Sequence, residues 1–505
     1  MKRMTFMLAV CLWAGCGESV DSGGGVAGAG GTGGSGGTSG EGGEGGAGGV
    51  AFSVWPCTEE GVRDAITFGG GPHTFACDGP TVVVTDAPIE IYNDVILDGE
   101  GRLTLDGNED HRVFVVGGNR PAVVALHNMT ITRGYAEVHG GGIFNSRSDL
   151  LLEGCSIVDN VSGWAAGGIY SYDGVLRIVD STISRNEAQY GGGILCGGDE
   201  LSIVQTTIAD NLGGGIDNSG VLTVVGSTIT GNVHAFGGGG IFNWGDLLVS
   251  ASIVSGNEGS VGGGIFNAGA LSMFETTVEG NTAEEGGGIF ASDAVRYGGD
   301  LSLAELGLAN VAYSTISNNS AERGAGIYSI ALRTTIWNST ISGNVASEEG
   351  GAVYVGATTL GASTTHLTQN TIADNSAPVG DAVLASGDEQ TLRFAGNLVS
   401  GGCQSQDGAV FDSRGYNVES PGQSCGFVEP SDVPNATSEE LGLGPLQNNG
   451  RETETHLPRA DSIAIDLIPA EECANVLPVR PAFDQRVIER PKGAGCDAGS
   501  VEVVP

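Results

Sequence analysis

The chain has 505 residues, of which 89 are glycine, 60 are aspartate or glutamate, and only 21 are lysine or arginine. The net charge of −39 argues against binding to nucleic acid or anionic lipid, because both require basic side chains to neutralise phosphate. The acidity is consistent with the solubility of a secreted protein, or with attraction to Ca²⁺ or other cationic groups.

The first 16 residues predict an export signal. Lys2 and Arg3 form a basic start, and the apolar stretch Met4–Gly15 is too short to span a bilayer. The stretch runs into LWAGC, which resembles a bacterial lipobox with Cys16 as the acylated residue. An ordinary signal peptide that contains a cysteine is the alternative. We expect an exported bacterial lipoprotein of the outer membrane or cell surface, attached to the membrane through its lipid.

Composition and motifs divide the chain into five parts. Residues 17–50 are dominated by glycine and small polar residues, which predicts a flexible tether with nothing to fold around. After the signal (1–16) and this linker, we expect an N-terminal cap over 51–80, repeats over 81–402 and a C-terminal module over 403–505. This order predicts a folded domain held away from a membrane surface.

A repeated motif runs through the central part. GGGIFN occurs at Gly140–Asn145, Gly238–Asn243 and Gly262–Asn267. The apolar residue after each such corner of small residues recurs at steps that are mostly 22–26 residues long. These residues are Ile143, Ile169, Ile194, Ile216, Ile241, Ile265, Ile289, Ile327, Val353 and Val383. The longer step from Ile289 to Ile327 contains an insertion around Arg296–Asn310.

A second motif keeps phase with the first and ends in asparagine. It reads SIVDN, TISRN, TIADN or TITGN in successive copies. Its asparagines are Asn160, Asn186, Asn211, Asn232, Asn257, Asn281, Asn319, Asn344 and Asn375. Asparagine tolerates left-handed turns, and its amide can hydrogen-bond to the copy above it. We therefore expect these side chains to stack as a structural ladder at one corner.

A step near 24 residues with short apolar strands favours an all-β solenoid. The step is too short for a βαβ unit, and no helical period lies between the strands. We predict a parallel β-helix in which each repeat forms one coil stacked on the next.

The paired motifs GGGIF and TIxxN resemble the GGAI and FxxN motifs of the polymorphic outer membrane protein repeats. More broadly, residues 80–400 resemble the right-handed parallel β-helix, or pectin-lyase-like, fold. The resemblance implies the fold but does not select an activity, because lyases, hydrolases, adhesins and inert stalks all use it.

The two ends carry different signals for caps. In WPCTEEGVRDAI (Trp55–Ile66), Thr58 is the expected N-cap of a short helix that closes the first coil. Two C-terminal stretches, Gly444–Asp466 and Asp484–Glu502, resemble the choice-of-anchor Q domain through GPLQNNGRETETH, DQRVIERP and CDAGSVE. That domain usually precedes a C-terminal anchor, whereas this sequence stops at Pro505 without an apolar tail. The lipid on Cys16 is then the expected anchor.

Ten cysteines allow disulfides in an exported protein. Cys11 lies in the signal and Cys16 is the lipidation candidate, which leaves eight. The preferred local pairs are Cys57 with Cys77, Cys403 with Cys425, and Cys473 with Cys496. The sequence leaves the connectivity open. Cys155 and Cys196 occupy repeat positions that hold small polar residues in other coils, so we expect buried free thiols.

One residue after the aligned apolar position, aromatic residues recur as a stripe. Its members are Phe144, Tyr170, Phe242, Phe266, Phe290, Tyr328 and Tyr354. Leu195 and Asp217 interrupt it. Alternation along a strand points this aromatic stripe outward, where it can meet sugar rings or a partner protein. The alternative is that the rings cover the corner or pack under a loop.

Acidic residues precede three successive glycine corners. The candidate cation ligands are Glu284, Glu322 and Glu348, and Arg323 is expected to lie between like charges. This acidic stripe is either a weak Ca²⁺ site or a solvated edge that Arg323 partly neutralises. No other cofactor is expected.

The sequence favours a structural or adhesive role without catalysis. No carboxylates recur in the arrangement that glycan hydrolysis requires, and no catalytic residue is assigned. The alternative is a Ca²⁺-dependent polysaccharide lyase or another glycan-active enzyme. The expected partners are the membrane and either a polysaccharide or another surface protein, but not nucleic acid.

Overall fold

The computed structural model describes residues 53–118, 120–198, 200–292, 308–358, 361–476 and 483–504. The signal with Cys16, the linker 17–50 and most of the insertion around Arg296–Asn310 lie outside the described residues. Over the described part, parallel strands stack coil upon coil in three long sheets. The predicted all-β parallel solenoid is confirmed.

The first sheet contains 15 strands. They are Ser53–Pro56, Gly70–Ala76, Val95–Asp98, Val123–His127, Asp149–Glu153, Val175–Val179, Glu200–Val204, Val221–Val225, Leu247–Ser250, Leu271–Phe274, Leu308–Ala312, Arg333–Trp337, Ser363–Thr368, Gln390–Ala395 and Val410–Ser413.

The second sheet contains 13 strands and carries the aligned apolar residues. They are Ile89–Ile91, Phe114–Gly117, Ile143–Ser146, Ile169–Tyr172, Ile194–Cys196, Ile216–Asn218, Ile241–Asn243, Ile265–Asn267, Ile289–Ser292, Ile327–Ile330, Val353–Val355, Val383–Ser386 and Cys403–Gln406.

The third sheet contains 14 strands. They are Thr81–Val84, Leu103–Asp106, Thr130–Thr132, Ser156–Val158, Thr182–Ser184, Thr207–Ala209, Thr228–Thr230, Ile253–Ser255, Thr277–Glu279, Thr315–Ser317, Thr340–Ser342, Thr371–Ala373, Leu398–Ser400 and Val418–Ser420.

Short strand pairs add to these sheets at the turns and in the C-terminal region. The parallel pairs are Tyr135–Ala136 with Val161–Ser162, Val233–His234 with Glu258–Gly259, and Ser320–Arg323 with Val345–Glu349. The antiparallel pairs are Leu443–Gln447 with Thr455–Pro458, and Ile468–Pro469 with Gly495–Cys496.

The core is a column of apolar side chains inside the three sheets. Each strand alternates, so one set of side chains points inward and the other outward. The aligned residues pair in register from coil to coil, as in Ile143 with Ile169 and Ile241 with Ile265. All four are fully buried. The repeat therefore fixes both the strand register and the composition of the core.

The N-terminal cap contains the predicted helix, α1 (Glu59–Phe68). Thr58 is its N-cap, and its hydroxyl accepts a hydrogen bond from the Gly61 N–H at 3.1 Å. Val62 and Ala65 are fully buried on the helix face that packs against the core. The cap region also supplies the first two strands of the first sheet.

The solenoid extends past 402, into the region assigned to the C-terminal module. One further coil contributes a strand to each sheet and ends at Ser420. Helices α2 (Ser438–Leu441) and α3 (Cys473–Val476) follow. The C-terminal strap, defined as residues 443–476 and 483–504, then folds back against the outer face of the third sheet. There the hydroxyl of Thr340 contacts Gln485 at 2.7 Å.

The three predicted disulfides are confirmed: Cys57–Cys77, Cys403–Cys425 and Cys473–Cys496. Cys155 and Cys196 are buried and do not take part in these three disulfides. Among the helices of the described residues, none combines the length and apolar character that a membrane crossing needs.

Candidate functional site

The nine predicted asparagines form one continuous ladder, from Asn160 to Asn375. In the middle of it, the side-chain amide of Asn232 donates to the Oδ1 of Asn257 at 3.0 Å. The same Oδ1 also accepts the backbone N–H of Asn232 at 3.0 Å. Every member of the ladder is buried. These asparagines are held by their own copies in neighbouring coils and present no free group to a ligand.

The glycine corner packs tightly against this ladder. In GGGIFN at Gly262–Asn267, the first glycine has φ +61°, a left-handed conformation that favours glycine. A Cβ on Gly264 would lie 2.7 Å from the carbonyl oxygen of Gly288 and 3.0 Å from the side-chain amide of Asn281. The two sequence motifs are therefore parts of one contact, in which the glycine makes room for the asparagine.

A row of small polar residues forms a further ladder beside the third sheet. The Ser181 hydroxyl accepts the backbone N–H of Cys155 at 3.1 Å, and the pattern continues in later coils. In the last coils asparagines take over the row, and Asn370 donates to Asn397 at 3.2 Å. This asparagine row was missed, because Asn370 and Asn397 precede the strands Thr371–Ala373 and Leu398–Ser400 rather than follow them. Burial raises the pKa of the Cys155 thiol to about 11, so it stays protonated.

The aromatic stripe lies outside the main core but is largely buried by its own members. Phe290 and Tyr328 stack with ring centroids 4.9 Å apart, and Tyr328 and Tyr354 stack at 4.5 Å. Phe266 stacks on Phe290 at 5.5 Å. Both faces of Phe290 and Tyr328 are therefore covered, and a ligand at this stripe would meet ring edges. Phe144 and Tyr170 form a separate stacked pair at 5.4 Å.

Aromatic residues from nearby turns extend the stripe beside Leu195 and Asp217, the two positions where the strand itself carries no aromatic residue. Phe242 contacts Phe266 at 4.7 Å and His234 at 5.7 Å between ring centroids. His234 in turn contacts Tyr190, and Tyr190 contacts Trp164. Trp164, Tyr190 and His234 were not predicted, because they come from turns of different length that precede the glycine corners.

Asp217 fills one of the two gaps in the stripe, beside Leu195 and Phe242 in the strand register. It retains partial contact with solvent. Burial among these neighbours raises the pKa of its carboxyl to about 7. Burial is the cause of this shift, and it favours the protonated form of the carboxyl.

The acidic stripe is organised around Arg323. The guanidinium lies 2.9 Å from Glu348, 3.5 Å from Glu285 and 4.0 Å from Glu349. The acidic stripe adjoins the aromatic stripe: burial, followed by the charge on Glu285, raises the pKa of the Tyr328 hydroxyl. Burial also raises the pKa of Glu285.

The candidate cation ligands Glu284, Glu322 and Glu348 are all exposed. Glu322 follows Glu284 on the adjacent coil, where its backbone N–H donates to the Glu284 carbonyl at 2.9 Å. Across the described residues, no group of three or more His, Cys, Asp or Glu side chains is arranged to hold a metal ion. The geometry brings Glu348 to Arg323 rather than to the other two candidates.

A shallow cavity of about 280 Å³ lies at the turn beside the third sheet. Two acids line it, and both are paired: Glu109 with Arg133 at 3.2 Å and Asp159 with Arg185 at 2.8 Å. Each acid of this cavity therefore contacts an arginine rather than the other acid.

The C-terminal strap contains the densest group of buried charges in the described chain. Arg490 and Glu502 are fully buried, with the guanidinium 3.5 Å from the carboxylate. Arg486 pairs with Asp484 at 2.8 Å. These residues belong to the stretches DQR, ERP and SVE, so those stretches stabilise the strap itself. In comparisons with known proteins, no family model, no curated protein and no solved structure matches the chain.

Proposed function

We propose that the protein is an exported surface lipoprotein whose β-solenoid has a structural or adhesive role and performs no catalysis. One observation carries the proposal: recurring polar side chains hydrogen-bond to the equivalent residues of neighbouring coils, and recurring aromatic side chains stack on them. The asparagine ladder and the aromatic stripe both follow this rule. Side chains used in this way hold a scaffold together and do not converge on a reacting group.

The acids that line the cavity and the acidic stripe support the same proposal. Glycan hydrolysis needs two carboxylates at a set separation, one of them free to give up a proton. Glu109 and Asp159 are instead neutralised by arginines. Glu348 is likewise bonded to Arg323.

Anchoring is proposed through the N-terminus. The LWAGC stretch gives Cys16 the context of an acylated cysteine, and the glycine-rich residues 17–50 connect that cysteine to the folded part. The C-terminal strap is proposed to be a module of the choice-of-anchor Q type that covers the last coils. The partner at the exposed surface is a polysaccharide or another surface protein.

The experiment that tests this role is incubation of the full chain with polyuronides and neutral glycans, with Ca²⁺ present. We expect no unsaturated sugar products and no new reducing ends. Retention of a glycan without turnover supports adhesion. If the chain neither retains nor cleaves any glycan, a spacer role is supported. Products that depend on Ca²⁺ would instead establish the alternative, a polysaccharide lyase.

A further inference from the structure

A cluster of basic residues lies on the outer face of the first sheet in the last coils. We call it the arginine patch, and it comprises Arg333, His366, Arg393 and Arg414. The cluster is unusual for this chain, in which 60 acidic residues face only 21 lysines and arginines. Arg333 and Arg414 are exposed, and His366 is half-buried.

The strand register brings these side chains together. His366 lies directly opposite Arg393 on one neighbouring strand and opposite Thr335 on the other. Arg333 is two residues before Thr335, so it points from the same face. Adjacent strands lie about 4.8 Å apart, which is within reach of the long arginine side chains.

The positive charges of the patch exceed the acids that face them. Arg393 and Arg414 share one carboxylate, that of Asp412, at 3.3 and 2.6 Å. Within the described residues, Asp412 is the acid ion-paired with the patch, so its three arginines leave a formal charge of +2 while His366 is neutral. Among the other ion pairs of the same sheet face, Arg177 has its own partner in Glu200.

The imidazole of His366 responds to this positive field. Burial, followed by the charges of Arg393, Arg333 and Arg414, lowers its pKa below the ordinary value. Asp412 is the acid on the strand beyond Arg393. An anion bound at the patch would oppose the arginine charges and favour the protonated imidazole.

Hydroxyl groups lie beside the charges, and one indole lies farther along the same sheet face, edge-on to Tyr313. Thr364 lies opposite both Arg333 and Thr391 in the register. Trp337 ends the strand that carries Arg333 and points from the same face. Hydroxyl donors, guanidinium forks and an aromatic side chain on a flat sheet face can together recognise an anionic sugar.

We infer that the arginine patch binds the acidic groups of an anionic polysaccharide. The inference rests on the proposed adhesive role and names the ligand class for it. Cations that recur on successive coils suit a linear polyanion lying across the strands. The net charge of −39 opposes the approach of any polyanion, so binding must depend on the local positive charge of the patch, and an anionic bilayer is an outcome that the test distinguishes.

The test is calorimetric binding of dextran sulfate oligosaccharide to the full chain, with neutral dextran as the matched ligand. We expect dextran sulfate alone to bind. Arg393→Gln should weaken it by about tenfold or more, because bonds to charged groups are lost. Arg177 lies on the same sheet face outside the patch. The matched variant Arg177→Gln should therefore change the affinity by less than about twofold. Both variants should keep the thermal unfolding midpoint of the parent.

A second readout follows the imidazole itself. In histidine-labelled protein, dextran sulfate should raise the pKa of His366 measured by NMR, and binding should strengthen as the pH falls through that pKa. His366→Asn should abolish this pH dependence. Unchanged affinity in Arg393→Gln would overturn the inference. So would equal binding of inorganic sulfate or of phosphatidylserine vesicles, which would identify a free anion or a membrane as the ligand. Glycan turnover would refute the non-catalytic role without affecting this binding result.

Discussion

At the residue scale, each ladder asparagine satisfies the backbone of two coils. Asn232 donates to the carbonyl oxygen of Ile208 at 3.0 Å, and its Oδ1 accepts from the backbone and side chain of Asn211 at 3.1 and 2.8 Å. Because these groups are buried, losing one partner leaves the other without a hydrogen bond. The ladder is therefore a stability element rather than a reactive one.

We predict that Asn232→Ala lowers the free energy of unfolding by about 2–4 kcal/mol, because it leaves buried donors and acceptors in the adjacent coils unpaired. Chemical denaturation with a fluorescence readout measures the change. The exposed Asn448 makes one local hydrogen bond, so Asn448→Ala should change stability by less than about 0.5 kcal/mol. Equal effects of the two substitutions would contradict a structural role for the ladder.

The ladder was predictable from the sequence, whereas the burial of the aromatic stripe was not. Asn160 and its copies keep constant phase with the strands, so their stacking follows from the repeat. The burial of Phe266 depends on neighbours such as Trp244 and Val261, whose residue types are not repeated in the other coils. Alternation correctly placed these rings outside the main core, but it carries no information about what covers them.

At the element scale, the C-terminal strap covers the outer face of the last strands of the third sheet. The Ser342 hydroxyl contacts His456 at 2.8 Å, and the Thr371 hydroxyl accepts the backbone N–H of Ser500 at 3.0 Å. Thr340 and Thr371 are buried there, whereas Thr207 in an earlier coil is only partly buried. The strap thus protects these strands from solvent.

We predict that Glu502→Gln loosens the strap, because it leaves the buried guanidinium of Arg490 without its carboxylate. Removal of one partner from a buried ion pair typically destabilises by about 3–5 kcal/mol. Hydrogen exchange should accelerate in the strap and at Thr340–Ser342 but not at Thr207–Ala209. Glu489→Gln changes an exposed carboxylate of the same strap and is the control. Uniform acceleration along the solenoid would refute a local role.

The sequence predicted the N-terminal helix, but not the last coil or the contacts of the C-terminal strap. The α1 helix was predictable because Thr58 and the apolar spacing of Val62 and Ile66 are local signals. The coil ending at Ser420 was assigned to the C-terminal module because it lacks the glycine corner and the TIxxN motif. The contact of Gln485 with Thr340 joins residues 145 positions apart, so no local pattern indicates it.

At the scale of the whole molecule, the repeat determines the architecture while leaving the activity open. A coil of about 24 residues is too small to enclose a core alone. It can bury its apolar side chains only by stacking on the coils above and below it. The arginine patch arises from non-repeated residues that the register brings together, such as His366 and Arg393. We therefore expect the binding function of the molecule to depend on the non-repeated, outward-facing residues of a few coils.

The most direct test of a surface-held scaffold is fractionation of cells that make the full chain and its Cys16→Ala variant. The parent should sediment with membranes and incorporate labelled fatty acid, and Cys16→Ala should lose both properties. Cys155→Ser is the matched control, because serine or threonine occupies the equivalent buried position in other coils. This variant should leave sedimentation unchanged. We predict release of Cys16→Ala from the membrane fraction, and its retention there at the parent's level would contradict lipid anchoring.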